Sequence, residues 1–272
     1  MQKVIQTVLN VGLEKPVKIL QITDIHLVEY NEKDPPEQQK LLQRRWNTFR
    51  KEGWYPPKSQ NEYFEEAIRM AEEEGALLIC TGDATDLHSQ GNREEFHRIT
   101  KGHDMMFAPG GHETQQICRR TMEEEYPYVE NTRPQVMAEY PQFKWDFDSR
   151  IINGLNIITA DNALDYFNQK TVELFKKELE RGLPIVIFFH DPITDRRLNR
   201  QVELHPNERA RLTDEDIERS LEMVNLIKTH PLVKGVFAGH LHCEHESVME
   251  NGSPAYITPG LYRGMCRFIE IR

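Results

Sequence analysis

The chain reads as short apolar runs separated by longer stretches in which apolar residues recur every three or four positions. The runs are Val17-Lys18-Ile19-Leu20-Gln21-Ile22, Leu77-Leu78-Ile79-Cys80, Met105-Met106-Phe107-Ala108, Leu155-Asn156-Ile157-Ile158, Ile185-Val186-Ile187-Phe188-Phe189 and Val233-Lys234-Gly235-Val236-Phe237. Several are nearly all apolar, as strands covered on both faces should be. Between them, Phe64, Ala67, Ile68 and Ala71 predict a helix closed by Gly75, and Val172, Phe175 and Leu179 predict another ending before Gly182. A third is predicted after Thr213, a suitable N-cap before a run of acidic residues, with Ile217, Leu221 and Val224 as its core-facing stripe. Asn153-Gly154 between two apolar arms predicts a tight hairpin turn, and the tail from Tyr256 predicts two closing strands. Strands alternating with helices predict an α/β fold.

Two segments break the rhythm. Residues 28–60 hold Pro35-Pro36 and Pro56-Pro57 around a basic, aromatic stretch, and residues 114–146 are rich in charge, tyrosine and proline. Neither has apolar residues enough for its own core, so a single domain over 1–272 is expected, with insertions at about 28–60 and 114–146.

Composition narrows the class. Hydrophobic residues at 38% and charged residues at 29% argue against a disordered chain. A formal charge of −10 repels nucleic acid and anionic membrane, so neither is an expected partner, and a phosphate-bearing ligand would need a local site. No run approaches the roughly 18 apolar residues of a membrane span, and the first residues lack a signal-peptide core, so a soluble, cytoplasmic protein is expected. Cys80, Cys118, Cys243 and Cys266 are scattered without the paired spacing of a zinc knot and are expected to be reduced thiols. Cys243 comes after a histidine cluster and is the one candidate for reactivity among them.

The chemistry lies at the strand ends. After Ile22 comes Thr23-Asp24-Ile25-His26, after Cys80 Thr81-Gly82-Asp83-Ala84-Thr85-Asp86, and after Ala108 Pro109-Gly110-Gly111-His112-Glu113. After Phe189 comes His190-Asp191, and after Ala238 Gly239-His240-Leu241-His242. Each alone is an ordinary turn, but ligands of open α/β sheets gather at the carboxyl ends of strands, where these residues can converge. Carboxylates and imidazoles without thiolates suit zinc, iron, manganese or cobalt, and there are more of them than one ion needs. That count points to two ions sharing a bridging carboxylate.

In this order the residues resemble the calcineurin-like metallophosphoesterases, whose motifs run D-x-H, G-D-x-x-D, G-N-H-E, H and G-H-x-H. Here they read Asp24-Ile25-His26, Gly82-Asp83-Ala84-Thr85-Asp86, Gly110-Gly111-His112-Glu113, His190 and Gly239-His240-Leu241-His242. The resemblance implies two packed mixed β-sheets flanked by helices, with the metal centre at the strand ends. It implies that Asp24, His26 and His242 bind one metal and His190 and His240 the other, with Asp83 bridging. His112 would stabilise the transition state or protonate the leaving oxygen, and Asp86 would orient His112 by a hydrogen bond. The activity implied is hydrolysis of a small phosphodiester or phosphomonoester by a metal-activated water, with manganese, iron or zinc as cofactor.

One residue departs from the pattern. Gly111 stands where the family has a metal-binding asparagine, so the second metal loses a side-chain oxygen. Three accounts compete: water, substrate or an acid such as Glu113 or Asp104 fills the gap; the second site is naturally weak; or the position was altered. The glycine pair can equally serve the turn that presents His112. A scaffold that keeps metal but not turnover is the rival to an enzyme, with Gly111 for it and His112 against. Cations for a phosphate are sought in Arg44, Arg45, Arg50, Arg196, Arg197, Arg200 and Arg263, with Tyr262, and Trp46 and Trp54 could stack on a base or sugar. His88 and His245 lie near ligands in sequence. Nothing in the sequence speaks to oligomeric state.

Overall fold

The computed structural model describes residues 1–51, 58–114, 133–163, 166–193 and 213–272, the side chains of residues 50 and 51 excepted. Trp54, Pro56-Pro57, Cys118, Arg196, Arg197, Arg200 and His205, with the Arg50 side chain, lie outside the described residues. The apolar runs become the central strands of two sheets. The first sheet contains β1 (Lys3–Leu9), β2 (Val17–Ile22), β3 (Leu77–Cys80), β4 (Met105–Phe107) and β11 (Met265–Ile271) in the order β1-β11-β2-β3-β4. The second contains β5 (Phe147–Ile152), β6 (Leu155–Ala160), β7 (Ile185–Phe188), β8 (Val233–Ala238), β9 (His245–Val248) and β10 (Pro254–Ile257) in the order β5-β6-β7-β8-β10-β9. Both are mixed: β2, β3 and β4 run parallel, as do β6, β7, β8 and β10, while β11 opposes β2 and β5 opposes β6.

Helices α1 (Pro36–Lys51), α2 (Gln60–Glu74), α3 (Gln90–Thr100), α4 (Gln169–Leu179) and α5 (Asp214–Thr229) pack around the sheets. Local chemistry fixes their ends. Ser59 and Glu62 close α2 as a reciprocal capping box, and Gly75 ends it in the left-handed region at φ 61°. Asn168 caps α4, and Thr213 with Asp216 caps α5. Asn153 and Gly154 both take positive φ, 50° and 82°, in a two-residue β5–β6 turn of the kind that hairpin twist favours.

The core is layered. One apolar cluster lies between the first sheet and α2 and α3, another between the second sheet and α4 and α5. A third fills the space between the sheets, where Ile19, Ile79 and Ile269 meet Ile157, Val186, Phe188 and Phe237. Behind the strand ends this interior is bridged by polar groups. Gln21 donates to Thr81 Oγ1 (3.1 Å) and Ala238 O (3.2 Å), while Thr258 donates to Gln21 Oε1 (2.6 Å) and accepts from Arg267 Nε (2.9 Å). Each is buried, and each bond spares the cost of an unpaired polar group.

One expected face is shifted. Of the expected stripe Val224 packs against the core, but Leu221 is 54% exposed, and the buried positions of α5 are Ser220, Met223 and Ile227, a stripe at i, i+3 and i+7 centred about 100° round the helix from the one expected. Helix α1 occupies part of the 28–60 segment and packs Leu41 and Leu42 against Val28 and Leu87. Cys80 and Cys266 are buried thiols and Cys243 is an exposed one. No helix among the described residues is long and apolar enough to cross a membrane.

The rings of Phe188, Phe237 and Tyr256 stack across the second sheet, with centroids 4.8 Å and 5.2 Å apart. Phe237→Ala is expected to lower stability by about 3–5 kcal/mol, read as a shift in denaturant midpoint with unchanged slope.

Candidate metal centre

Loops at the ends of β2, β3, β4, β7 and β8 deliver Asp24 and His26, Asp83 and Asp86, His112, His190, and His240 and His242 to one place. The first two loops run side by side: Asp24 N donates to Gly82 O, His26 N to Asp83 O and Leu27 N to Ala84 O, each at 2.9 Å. Their backbones are costly. Among the described residues the non-glycine positions with positive φ are Asp24, His26, Asp83, Asn153, His240 and His242, so all but the hairpin Asn153 are expected metal ligands. L-residues avoid this region, and neighbouring structure must hold them there.

Close backbone approach explains two glycines. A Cβ on Gly110 would strike the Asp83 carboxylate, and one on Gly239 would strike the Thr23 hydroxyl. Gly110 lets His112 N reach Asp83 Oδ1 at 3.0 Å, and Gly239 lets His240 N reach Asp24 Oδ2 at 2.9 Å.

The imidazole orientations define the chemistry. His190 Nδ1 lies 2.7 Å from Thr81 O, His112 Nδ1 2.6 Å from Asp86 O and His26 Nδ1 3.0 Å from Asp86 Oδ1. Carbonyl and carboxylate oxygens only accept, so each Nδ1 carries the hydrogen and the neutral ring turns an Nε2 lone pair inward. These nitrogens crowd against one another and against carboxylates. His26 Nε2 is 3.1 Å from His242 Nε2, which is 3.0 Å from Asp24 Oδ1. His190 Nε2 is 3.2 Å from Asp83 Oδ2 and 3.2 Å from His240 Nδ1. Asp24 Oδ2 accepts from Thr23 and from His240 N, whereas the buried Oδ1 makes no hydrogen bond. Imidazole nitrogens and carboxylates converging around an Asp24 oxygen that makes no hydrogen bond form a donor set that fits divalent cations.

The triads Asp24–His26–His242 and Asp83–His190–His240 each place their ligand atoms within 4.8 Å of one another, as does His26–Asp83–His112. Asp83 links them, its Oδ2 lying 4.0 Å from His26 Nε2 and 3.9 Å from His112 Nε2. The field is strong. Burial raises the Asp24 carboxyl, but the imidazoles of His242 and His190 outweigh this and bring it down to about 2. Burial opposes charge on Asp83 too, yet His190 and His112 hold it well below the carboxylate range. Burial alone would lower His190, but Asp83 drives it well above its ordinary value, so without a cation its Nε2 carries a proton toward Asp83 Oδ2, in the place a bound ion would take.

Three expectations change. The Asp86 carboxylate serves His26, and His112 is held instead by the Asp86 main-chain carbonyl, its Nδ1 being 3.9 Å from Asp86 Oδ1. Glu113 does not fill the gap at Gly111. It is buried and accepts from the N–H groups of Asp83 (3.1 Å), Ala84 (2.6 Å), Thr85 (3.3 Å) and Gly110 (2.6 Å), locking the β3 and β4 loops together. Asp104 lies at the surface on Arg150.

Arg45 is bound to Asp86, Arg44 is exposed, and Arg263 donates to His242 O at 3.1 Å. Tyr262 OH is 3.2 Å from His242 Nδ1, an orienting contact at which its sequence position beside two glycines only hints. Asp191, to which the sequence pattern gives no role beyond its place after His190, lies buried with Oδ1 3.3 Å from His240 Nδ1. Asn162 carries no motif at all, yet it accepts from His190 N and Asp191 N at 3.1 Å and 3.0 Å.

The profile of the calcineurin-like phosphoesterase family matches residues 17–244. The chain belongs to this family. The phosphoesterase's fold is similar to that of a dimetal phosphatase from Danio rerio, with a TM-score of 0.53, 12% identity, and 91% of this chain and 88% of that one covered. A protein of Thermus thermophilus gives a TM-score of 0.47 at 12% identity, covering 91% of each chain. A 5'-nucleotidase from Candida albicans gives 0.47 at 13%, covering 90% of this chain and 46% of that one. No curated protein is similar enough in sequence to count as a relative. Membership supports reading the chain as a metal-dependent phosphoesterase.

Burial, with Asp83 close by, pushes the Glu113 carboxyl up to about 7. Four backbone donors point at it nonetheless, and Glu113→Gln would turn an NH2 against two of them. The expected loss of stability in the metal-free protein is about 1–3 kcal/mol per donor left unpaired, measured by thermal or denaturant unfolding.

Proposed function

We propose that this phosphoesterase hydrolyses a small phosphodiester or phosphomonoester using two divalent ions, manganese, iron or zinc. Asp24, His26 and His242 hold one ion, His190 and His240 hold the other, and Asp83 lies between them. The observation that carries this reading is the run of imidazole nitrogens and carboxylate oxygens from His242 Nε2 through His26 Nε2, Asp83 Oδ2 and His190 Nε2 to His240 Nδ1. When bound, the ions supply an activated water and positive charge against the phosphoryl oxygens. The net charge of −10 supports a small substrate over nucleic acid.

The chain's own residues do the rest. With Nδ1 of His112 committed to Asp86 O, a proton exchanged with the leaving oxygen is carried by Nε2. That ring is the more open to solvent, its side chain 19% exposed against 2% for His26 and 1% for His190. Asp83 Oδ1 accepts the His112 N–H, which ties the proton carrier to the carboxylate between the two triads.

Gly111 favours a second reading. It offers no side chain to the Asp83–His190–His240 group, and neither Glu113 nor Asp104 replaces it, so a metal-binding scaffold with weakened catalysis is the alternative. Elemental analysis of protein purified without chelator, beside hydrolysis of bis(p-nitrophenyl) phosphate and p-nitrophenyl phosphate, separates the two. An enzyme shows close to two ions and turnover, and a scaffold shows fewer ions and none. His112→Ala is expected to cut kcat by about 10²–10⁴-fold while keeping its metal. Gly111→Asn is expected to raise occupancy of the second ion in the same elemental analysis.

A further inference from the structure

Asp86 is fully buried, and its carboxylate is shared by two elements. From one side His26 Nδ1 donates to Oδ1. From the other, Arg45 closes a fork, Nε to Oδ2 at 2.6 Å and Nη2 to Oδ1 at 2.7 Å. Arg45 comes from α1, which is tied down by Leu41 and Leu42. One helical turn on, Phe49 lies 5.0 Å from the Arg45 guanidinium, 5.7 Å from the His26 ring and 5.2 Å from the Tyr262 ring. The helix therefore reaches the first triad twice, through Asp86 and through an aromatic face.

We propose that Arg45 is a positioning residue for the ion held by Asp24, His26 and His242, and that α1 is part of that metal centre. This rests on the reading of His26 as a ligand. A carboxylate with a single partner can turn about its Cβ–Cγ bond. A planar guanidinium bonded to both oxygens fixes the plane of the carboxylate, and the plane fixes the direction in which Oδ1 meets His26. His26 is thereby kept as the tautomer whose Nε2 lone pair points at His242 and Asp24. Lysine has no fork and holds one oxygen at most. The fork acts on the His26 side of the centre, whereas His190 is oriented by Thr81 O, so the effect falls on the first ion.

The test is titration of cobalt(II) into the metal-stripped full chain, following heat and the visible d–d spectrum, for the unaltered protein, Arg45→Met and Arg45→Lys. Arg45→Met is expected to weaken one of the two binding events about 10–100-fold, the size typical of losing an outer partner of a ligand, and to change the spectrum of that ion. Added guanidinium is expected to restore the spectrum of Arg45→Met, and Arg45→Lys to fall between. Wild-type affinity and spectrum in Arg45→Met would overturn the proposal. So would equal weakening of both events with no response to guanidinium, the mark of a general loss of folding. If the unaltered chain bound no cobalt, the two-ion reading would fall together with this one. Cobalt binding that is indifferent to Arg45 would remove this one alone.

Discussion

Everything in this molecule turns on bringing negative and lone-pair-bearing atoms from two separate sheets into close range of one buried carboxylate, Asp83. Such a gathering is unfavourable by itself, since its members repel one another and each has given up water. The protein meets the cost with backbone geometry: five of the assembled residues sit in the left-handed region, pinned by main-chain bonds between adjacent loops. Glu113 and the glycine at 110 belong to the same device, because one gathers the amides of both loops and the other lets the loops touch. The fold is thus organised as a frame that forces acceptors together, and family membership gives that frame its chemistry.

Much of this is legible in the sequence, and for a definite reason. The strands that carry the ligands are buried on both faces, so they stand out as continuous apolar runs, and the polar residues after them mark the strand ends. Elements with one wet face are harder to see. Strand β1, Lys3-Val4-Ile5-Gln6-Thr7-Val8-Leu9, alternates at the sheet edge, and β9 has a burial pattern with no fully buried position. Helices α1 and α3 are dominated by polar residues, and α1 lies in a segment whose prolines read as irregular chain.

The site is legible in its residues and less so in its contacts. A motif names Asp86 without saying that its side chain serves His26 while its carbonyl serves His112. Arg45 is separated from Asp86 by 41 positions and carries no motif, and Asn162 lies 28 positions from His190, so both partnerships exist only through space. Gly111 reads as a lost side chain in sequence and in structure alike, but nearness along the chain is a poor guide to what could replace it. In the fold Glu113 is taken up by loop amides, and Asp104 stays at the surface with Arg150.

The placement of β11 bears on how the protein comes into being. This strand, residues Met265–Ile271, inserts between β1 and β2, so the strand that presents Asp24 and His26 lacks one of its neighbours until residues more than 240 positions further on have been synthesised. Pairing so distant in sequence forms late and slowly, because the whole intervening loop must close first. During synthesis the second sheet, whose strands are consecutive in the chain, can form ahead of the first, and the ligands it contributes wait for theirs. A chain lacking β11 would carry every donor in its sequence without the completed sheet that holds half of them in place.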